Sequence, residues 1–185
     1  MSKENIFITR PFLPPLNEYS KYLEEIWNNK QLTNSGPFHQ KFEKALSNYL
    51  GVKYVSLVNN ATTGLIIAQK ALGFKGEIIT TPFSFIATSH SIKWNGLEPI
   101  FVDTDNTFGN LDPSIIEEKI NDKTGGILAL HNFAIPSKVT ELRKIADKFS
   151  LPLLYDAAPA MAVNYKGKSI FNYGDCSVVS FHATK

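Results

Sequence analysis

From residue 52 onward, short apolar runs alternate with helical stretches, and this rhythm limits the fold more than any other feature of the chain. The runs are KYVSLV (53–58), EIITT (77–81), PIFVD (99–103), GILAL (126–130), LPLLYD (151–156) and SVVSF (177–181). Each is short enough for a strand, and helices are readable between most of them. Asp112-Pro113 pairs a capping residue with a proline at the first helical position, ahead of Ile115, Ile116 and Ile120. Ser137 caps a further helix, with Leu142, Ile145, Ala146 and Phe149 on its inner face. Apolar strands bounded by helices predict an α/β fold, a mostly parallel sheet with helices on both faces.

Residues 1–50 read as an N-terminal helical segment, set apart from the strand-bearing residues 51–185. In PLNEYSKYLEEIWNN, Leu16, Tyr19, Leu23, Ile26 and Trp27 fall on one face at helical spacing. In FHQKFEKALSNYLG, Phe38, Phe42, Ala45, Leu46 and Tyr49 do the same, and Gly51 supplies a C-terminal stop. QLTNSGP, residues 31–37, is a loop of turn formers between them.

Composition narrows the function classes. Hydrophobic residues are 43% of the 185 and charged residues 19%, which suits a globular chain with a sizeable core. A net charge of +2 without a basic run gives no footprint for nucleic acid or a membrane surface. A single cysteine, Cys176, excludes an intramolecular disulfide framework and fits a reducing compartment. MSKENIFITRPFLPP lacks the apolar core of a signal peptide, so the expected location is the cytoplasm.

Ligands of open α/β sheets sit beyond the carboxyl ends of the strands, so the residues that follow each run are the candidates. NNATTGL (59–65) opens a helix whose first N–H groups, with the Thr62 and Thr63 hydroxyls, can hold an anion or merely form a capped start. Phe83 and Phe85 in PFSFIATSHS offer a ring to a planar ligand or to the core. Asp156 ends LPLLYD, where a carboxylate after apolar residues needs a cationic or hydrogen-bonding partner. It either caps the AAPA segment or meets a ligand. SVVSFHATK places Ser180 and Lys185 after the last run.

No Walker loop, GxGxxG or GxSxG occurs, and the four histidines lack metal-ligand spacing with Cys176. An anion cradle, an aromatic ring, a carboxylate and a lysine amine are together what pyridoxal 5′-phosphate needs. They serve its phosphate, its ring, its pyridine nitrogen and its aldehyde respectively.

NNATTGL, EIITTPFSFIATSHS, PIFVDTD, YDAAPA and SFHATK, in that order, resemble the DegT/DnrJ/EryC1/StrS family of sugar aminotransferases, fold-type I enzymes dependent on pyridoxal phosphate. The resemblance implies Thr62, Thr63 and Ser180 on the phosphate, Phe85 on the ring face, and Asp156 on the pyridine nitrogen. Lys185 would hold the aldehyde and act as the base and acid of the proton shift. ITRPFLPPLNEY and LTNSGPFHQKFEKAL look most like members that form dTDP-4-amino-4,6-dideoxyglucose for surface polysaccharides, such as O-antigen. The implied substrates are a nucleotide-linked keto-deoxysugar and an amino donor, glutamate, and the implied assembly is a homodimer.

Three departures accompany the resemblance. Pro159 stands where the family has Gln or His, and Ala134 stands in HNFAIP where it has Gly. Family members also continue past the lysine, so residues 51–185 correspond to an incomplete large domain, expected to be inactive alone. Against the aminotransferase stand a non-catalytic remnant of such an enzyme and a Rossmann-like nucleotide-binding module, which the missing glycine fingerprint disfavours.

Overall fold

The computed structural model describes Phe7 and residues 9–184. Its helices are α1 (Leu16–Asn29), α2 (Pro37–Leu50), α3 (Ala61–Ala71), α4 (Ile86–Trp94) and α5 (Val139–Lys148). Its strands are β1 (Glu77–Thr80), β2 (Glu98–Phe101), β3 (Thr124–Leu130), β4 (Leu153–Asp156), β5 (Asn164–Tyr165), β6 (Lys168–Ser169) and β7 (Cys176–Val178). Five of them form one parallel sheet in the order β2-β1-β3-β4-β7, while β5 and β6 make a separate antiparallel pair.

Successive strand residues point to opposite faces, and here both faces are covered. Ile78, Leu128, Leu154 and Val178 pack with Leu65 and Ala68 of α3 and Ile92 of α4. Ile79, Ile127, Ala129, Leu153 and Tyr155 pack on the other side with Val139, Leu142, Ile145 and Ala146 of α5. This double burial is why the runs are apolar throughout, and each fully buried large aliphatic contributes roughly 2 kcal/mol. No helix among the described residues is long and apolar enough to cross a membrane.

Several sequence expectations change. Residues 53–58 are not a strand: strand status needs a ladder partner, and no described strand pairs with them. The Leu57 N–H donates instead to the Glu43 carboxylate of α2 at 3.0 Å. After Asp112 the chain makes two 3-10 turns, Pro113–Ile115 and Glu117–Lys119, in place of an α-helix. The β-branched Ile115, Ile116 and Ile120 lower helix propensity there. Asp112 does cap, accepting the Ser114 N–H at 3.0 Å. Ser137 does not: its hydroxyl donates to the Leu130 carbonyl of β3, and Lys138 occupies the capping position of α5.

The N-terminal helices also differ from expectation. On α1 no residue is buried, and Leu16, Tyr19, Leu23 and Trp27 lie exposed. Helical spacing marks an apolar face but does not say what covers it. On α2, Leu46 and Leu50 are buried, whereas Phe42, Ala45 and Tyr49 are exposed. The two helices touch through Tyr22 and Phe38, ring centroids 5.6 Å apart, and through Lys41 and Glu25 at 2.8 Å.

Candidate active site

Parallel pairing brings the carboxyl ends of the five strands to one edge of the sheet, so Thr80, Leu130, Asp156 and Val178 end together. α3 packs against β7, and a Cβ on Gly64 would lie 2.9 Å from Val178 Cγ1. The glycine of NNATTGL therefore allows a close helix–strand approach.

The start of α3 is capped by Asn60, whose Oδ1 accepts the Thr63 N–H at 2.8 Å. The N–H groups of Ala61 and Thr62, also in the first turn, have no intrahelical partner. Thr62 is exposed and Thr63 half-buried, so an anion can reach both hydroxyls.

The segment after β1 presents two phenyl rings in different settings. Phe83 is tilted against Phe133 at 6.1 Å and sits under Gly109, where a Cβ would meet its ring at 2.7 Å. Phe85 occupies the N-cap position of α4 and is 73% exposed. Neither ring is a core aromatic.

Of the two roles that the sequence left open for Asp156, the structure shows the cap, and it adds a hydrogen-bond donor from α4. Asp156 Oδ1 accepts the Ala158 N–H at 3.1 Å, a local cap. Its Oδ2 accepts the Thr88 hydroxyl of α4 at 2.8 Å, although the carboxylate is only 7% exposed. Thr88 escaped the sequence reading because its partner lies 68 residues away. The only available signal was the need of a buried carboxylate for a donor.

The loop after β3 is braced by asparagines that sequence reasoning also missed. Asn132 donates to the carbonyls of Phe83, at 3.0 Å, and Gly109, at 2.6 Å, and its N–H donates to Asn110 Oδ1 at 2.9 Å. Within this loop Ala134 holds φ +62°, a left-handed conformation that costs a residue bearing a Cβ about 1–2 kcal/mol. Ala134→Gly should therefore raise stability by about 1 kcal/mol, less whatever glycine adds to unfolded-chain entropy. Urea unfolding of the two proteins checks this, and an unchanged or lower midpoint would count against the strain. Pro159 is half-buried and offers no side-chain hydrogen bond.

SFHATK is not a continued strand, because β7 stops at Val178. Ser180 is half-buried, its Oγ accepts the His182 N–H at 3.1 Å, and Phe181 packs edge-on against Phe42 at 5.2 Å. Lys185 lies outside the described residues. Cys176 is a poor nucleophile because burial pushes its thiol pKa up. No cluster of three metal-ligating side chains occurs among the described residues.

Residues 16–185 match the family model described as the DegT/DnrJ/EryC1/StrS aminotransferase family. The chain belongs to this family. It is 53% identical over 180 residues to a dTDP-4-amino-4,6-dideoxy-D-glucose transaminase of Shigella dysenteriae, covering 97% of the chain and 49% of that protein. Among solved structures, DesI in the presence of its TDP-sugar product superimposes with a TM-score of 0.94 at 34% identity. That match covers 97% of the chain and 46% of DesI. NtdA of Bacillus subtilis with bound cofactor PMP gives 0.84 at 30% identity, covering 98% of the chain and 43% of NtdA. The chain thus spans about half the length of the family members it matches.

Proposed function

We propose that this chain carries the cofactor-holding part of a pyridoxal-phosphate enzyme that transfers an amino group from glutamate to the keto group of a dTDP-linked 4-keto-6-deoxyhexose. The observation that carries the reading is Asp156, held at the end of β4 by Thr88 and Ala158. On the same sheet edge open the exposed Phe85 ring and the first turn of α3. The Shigella relative and the TDP-sugar product of DesI support the sugar class.

The residues present fit the group. The first-turn N–H groups of α3, with the hydroxyls of Thr62, Thr63 and Ser180, take the phosphate. Phe85 would face the ring. Asp156 would pair with the ring nitrogen and keep it protonated. Lys185, beyond the described residues, would hold the aldehyde and carry the proton. When bound, pyridoxal phosphate supplies the sink for the electron pair released as the amino group is transferred. In this reading residues 51–185 form the cofactor-binding part and the working protein is a homodimer, a role that suits the bare apolar face of α1.

Two measurements test this. Incubation with pyridoxal phosphate, borohydride reduction and peptide mapping should place the label on Lys185; labelling of another lysine refutes the site. The whole reading frame that contains this chain, given glutamate and dTDP-4-keto-6-deoxyglucose, should form the 4-amino sugar. Conversion of a GDP-linked keto sugar in preference would overturn the substrate class.

A further inference from the structure

We propose that Thr88 is a positioning residue: its hydroxyl fixes the orientation of the Asp156 carboxylate at the site. The inference deepens the cofactor reading above and rests on it for its consequence.

Thr88 is fully buried on α4, three residues after Phe85, and its N–H donates to the Phe85 carbonyl at 3.0 Å. The first turn of one helix therefore presents the exposed ring and also holds the carboxylate. Asp156 is an acceptor when ionised, so the Thr88 hydroxyl at 2.8 Å is the donor. A threonine side chain has one hydroxyl proton, and here that proton is committed to Oδ2.

The backbone behind Thr88 is held as well. Its carbonyl accepts the Ser91 hydroxyl at 2.7 Å, and Ser91 Oγ accepts the Gln69 side-chain N–H of α3 at 2.7 Å. Asn95 closes the chain, donating to the Ile66 carbonyl at 3.0 Å and to Gln69 Oε1 at 3.4 Å. Gln69, Ser91 and Thr88 are all fully buried. A buried polar chain whose members are all paired is rigid, because breaking any link leaves a desolvated group alone. It ties α3, which carries Thr62 and Thr63, to α4 and so to Asp156. A position used for packing alone is satisfied by valine, which has the shape of threonine and no hydroxyl. The commitment of that hydroxyl to a nearly buried carboxylate goes beyond what packing needs.

Thr88→Val and Thr88→Ser separate the two roles, since valine keeps the shape and serine keeps the hydroxyl. In the chain without added ligand, the carboxyl carbon resonance of Asp156 should move in Thr88→Val and stay near the wild-type position in Thr88→Ser. With pyridoxal phosphate as probe, Thr88→Val should raise the dissociation constant by roughly ten- to a hundred-fold, the range for losing a hydrogen bond to a charged group. Thr88→Ser should retain most of the affinity. A 1-deaza analogue of pyridoxal phosphate, which lacks the ring nitrogen, should bind the wild type and Thr88→Val alike. If the Asp156 resonance is unmoved in Thr88→Val, or if serine is the weaker binder and valine the normal one, Thr88 is only a packing residue and the proposal fails. If the resonance responds while the wild type binds no pyridoxal phosphate, the positioning contact is upheld and the cofactor reading falls.

Discussion

Gly125→Ala should leave the chain unfolded or cost it about 4 kcal/mol or more, a range reached only by a few mechanisms. A Cβ at position 125 would stand 1.8 Å from the Lys75 carbonyl oxygen and 2.7 Å from its carbon. Both are backbone atoms, so no side-chain rotation relieves the overlap. Moving them apart pulls on the hydrogen bonds from Glu77 N–H to the Lys123 carbonyl, 2.9 Å, and from Glu98 N–H to the Gly76 carbonyl, 3.0 Å. Those bonds help set β1 between β2 and β3. Gly126→Ala is the comparison, since its Cβ would meet the Phe74 ring at 2.9 Å. A ring can shift, so that variant should lose only about 1–3 kcal/mol and remain folded. Circular dichroism and urea unfolding of both variants decide the matter; a folded Gly125→Ala protein as stable as Gly126→Ala would contradict it.

Acid should remove about 3 kcal/mol of stability through His131 alone. The imidazole is fully buried and stacked on Tyr155, with ring centroids 4.5 Å apart and planes 17° from parallel. Its Nδ1 accepts the Ser137 N–H at 3.1 Å, so the neutral ring carries its proton on Nε2. Protonating Nδ1 would set two donors against each other and bury a charge. Burial accordingly holds the pKa down to about 4, against 6.5 for a free histidine. Between those values the unfolded chain binds the proton and the folded one does not. The stability is therefore whole above about pH 6.5, declines as pH falls, and is fully lost below about 4. Unfolding free energies measured from pH 7 to 4 should show this fall, and His131→Gln should flatten it. An equal fall in His131→Gln would assign the acid sensitivity to other groups.

The candidate site could be proposed from the sequence because its residues follow strand ends. Asp156 closes a run of apolar residues, and NNATTGL carries a capping asparagine with hydroxyls in the first turn behind it. Both are local patterns, fixed by a few neighbouring residues. The separation of Phe83 from Phe85 was less legible, since what covers Phe83 is Phe133 and Gly109, far along the chain. The asparagine bracing of residues 109–135 left no local trace, because an asparagine in a loop looks the same whether it binds its own turn or a distant carbonyl.

The sequence by itself determined the α/β class and the mostly parallel sheet, because apolar runs buried on both faces and helical periods are local properties. Tertiary structure alone decided three matters. Residues 53–58 do not count as a strand, since pairing depends on a neighbour that no residue in the run encodes. The apolar face of α1 stays bare, since periodicity gives a helix a face and only packing gives that face a partner. Asp156 is held by Thr88, since hydrogen bonds across 68 residues exist only after the fold has brought the start of α4 to the end of β4.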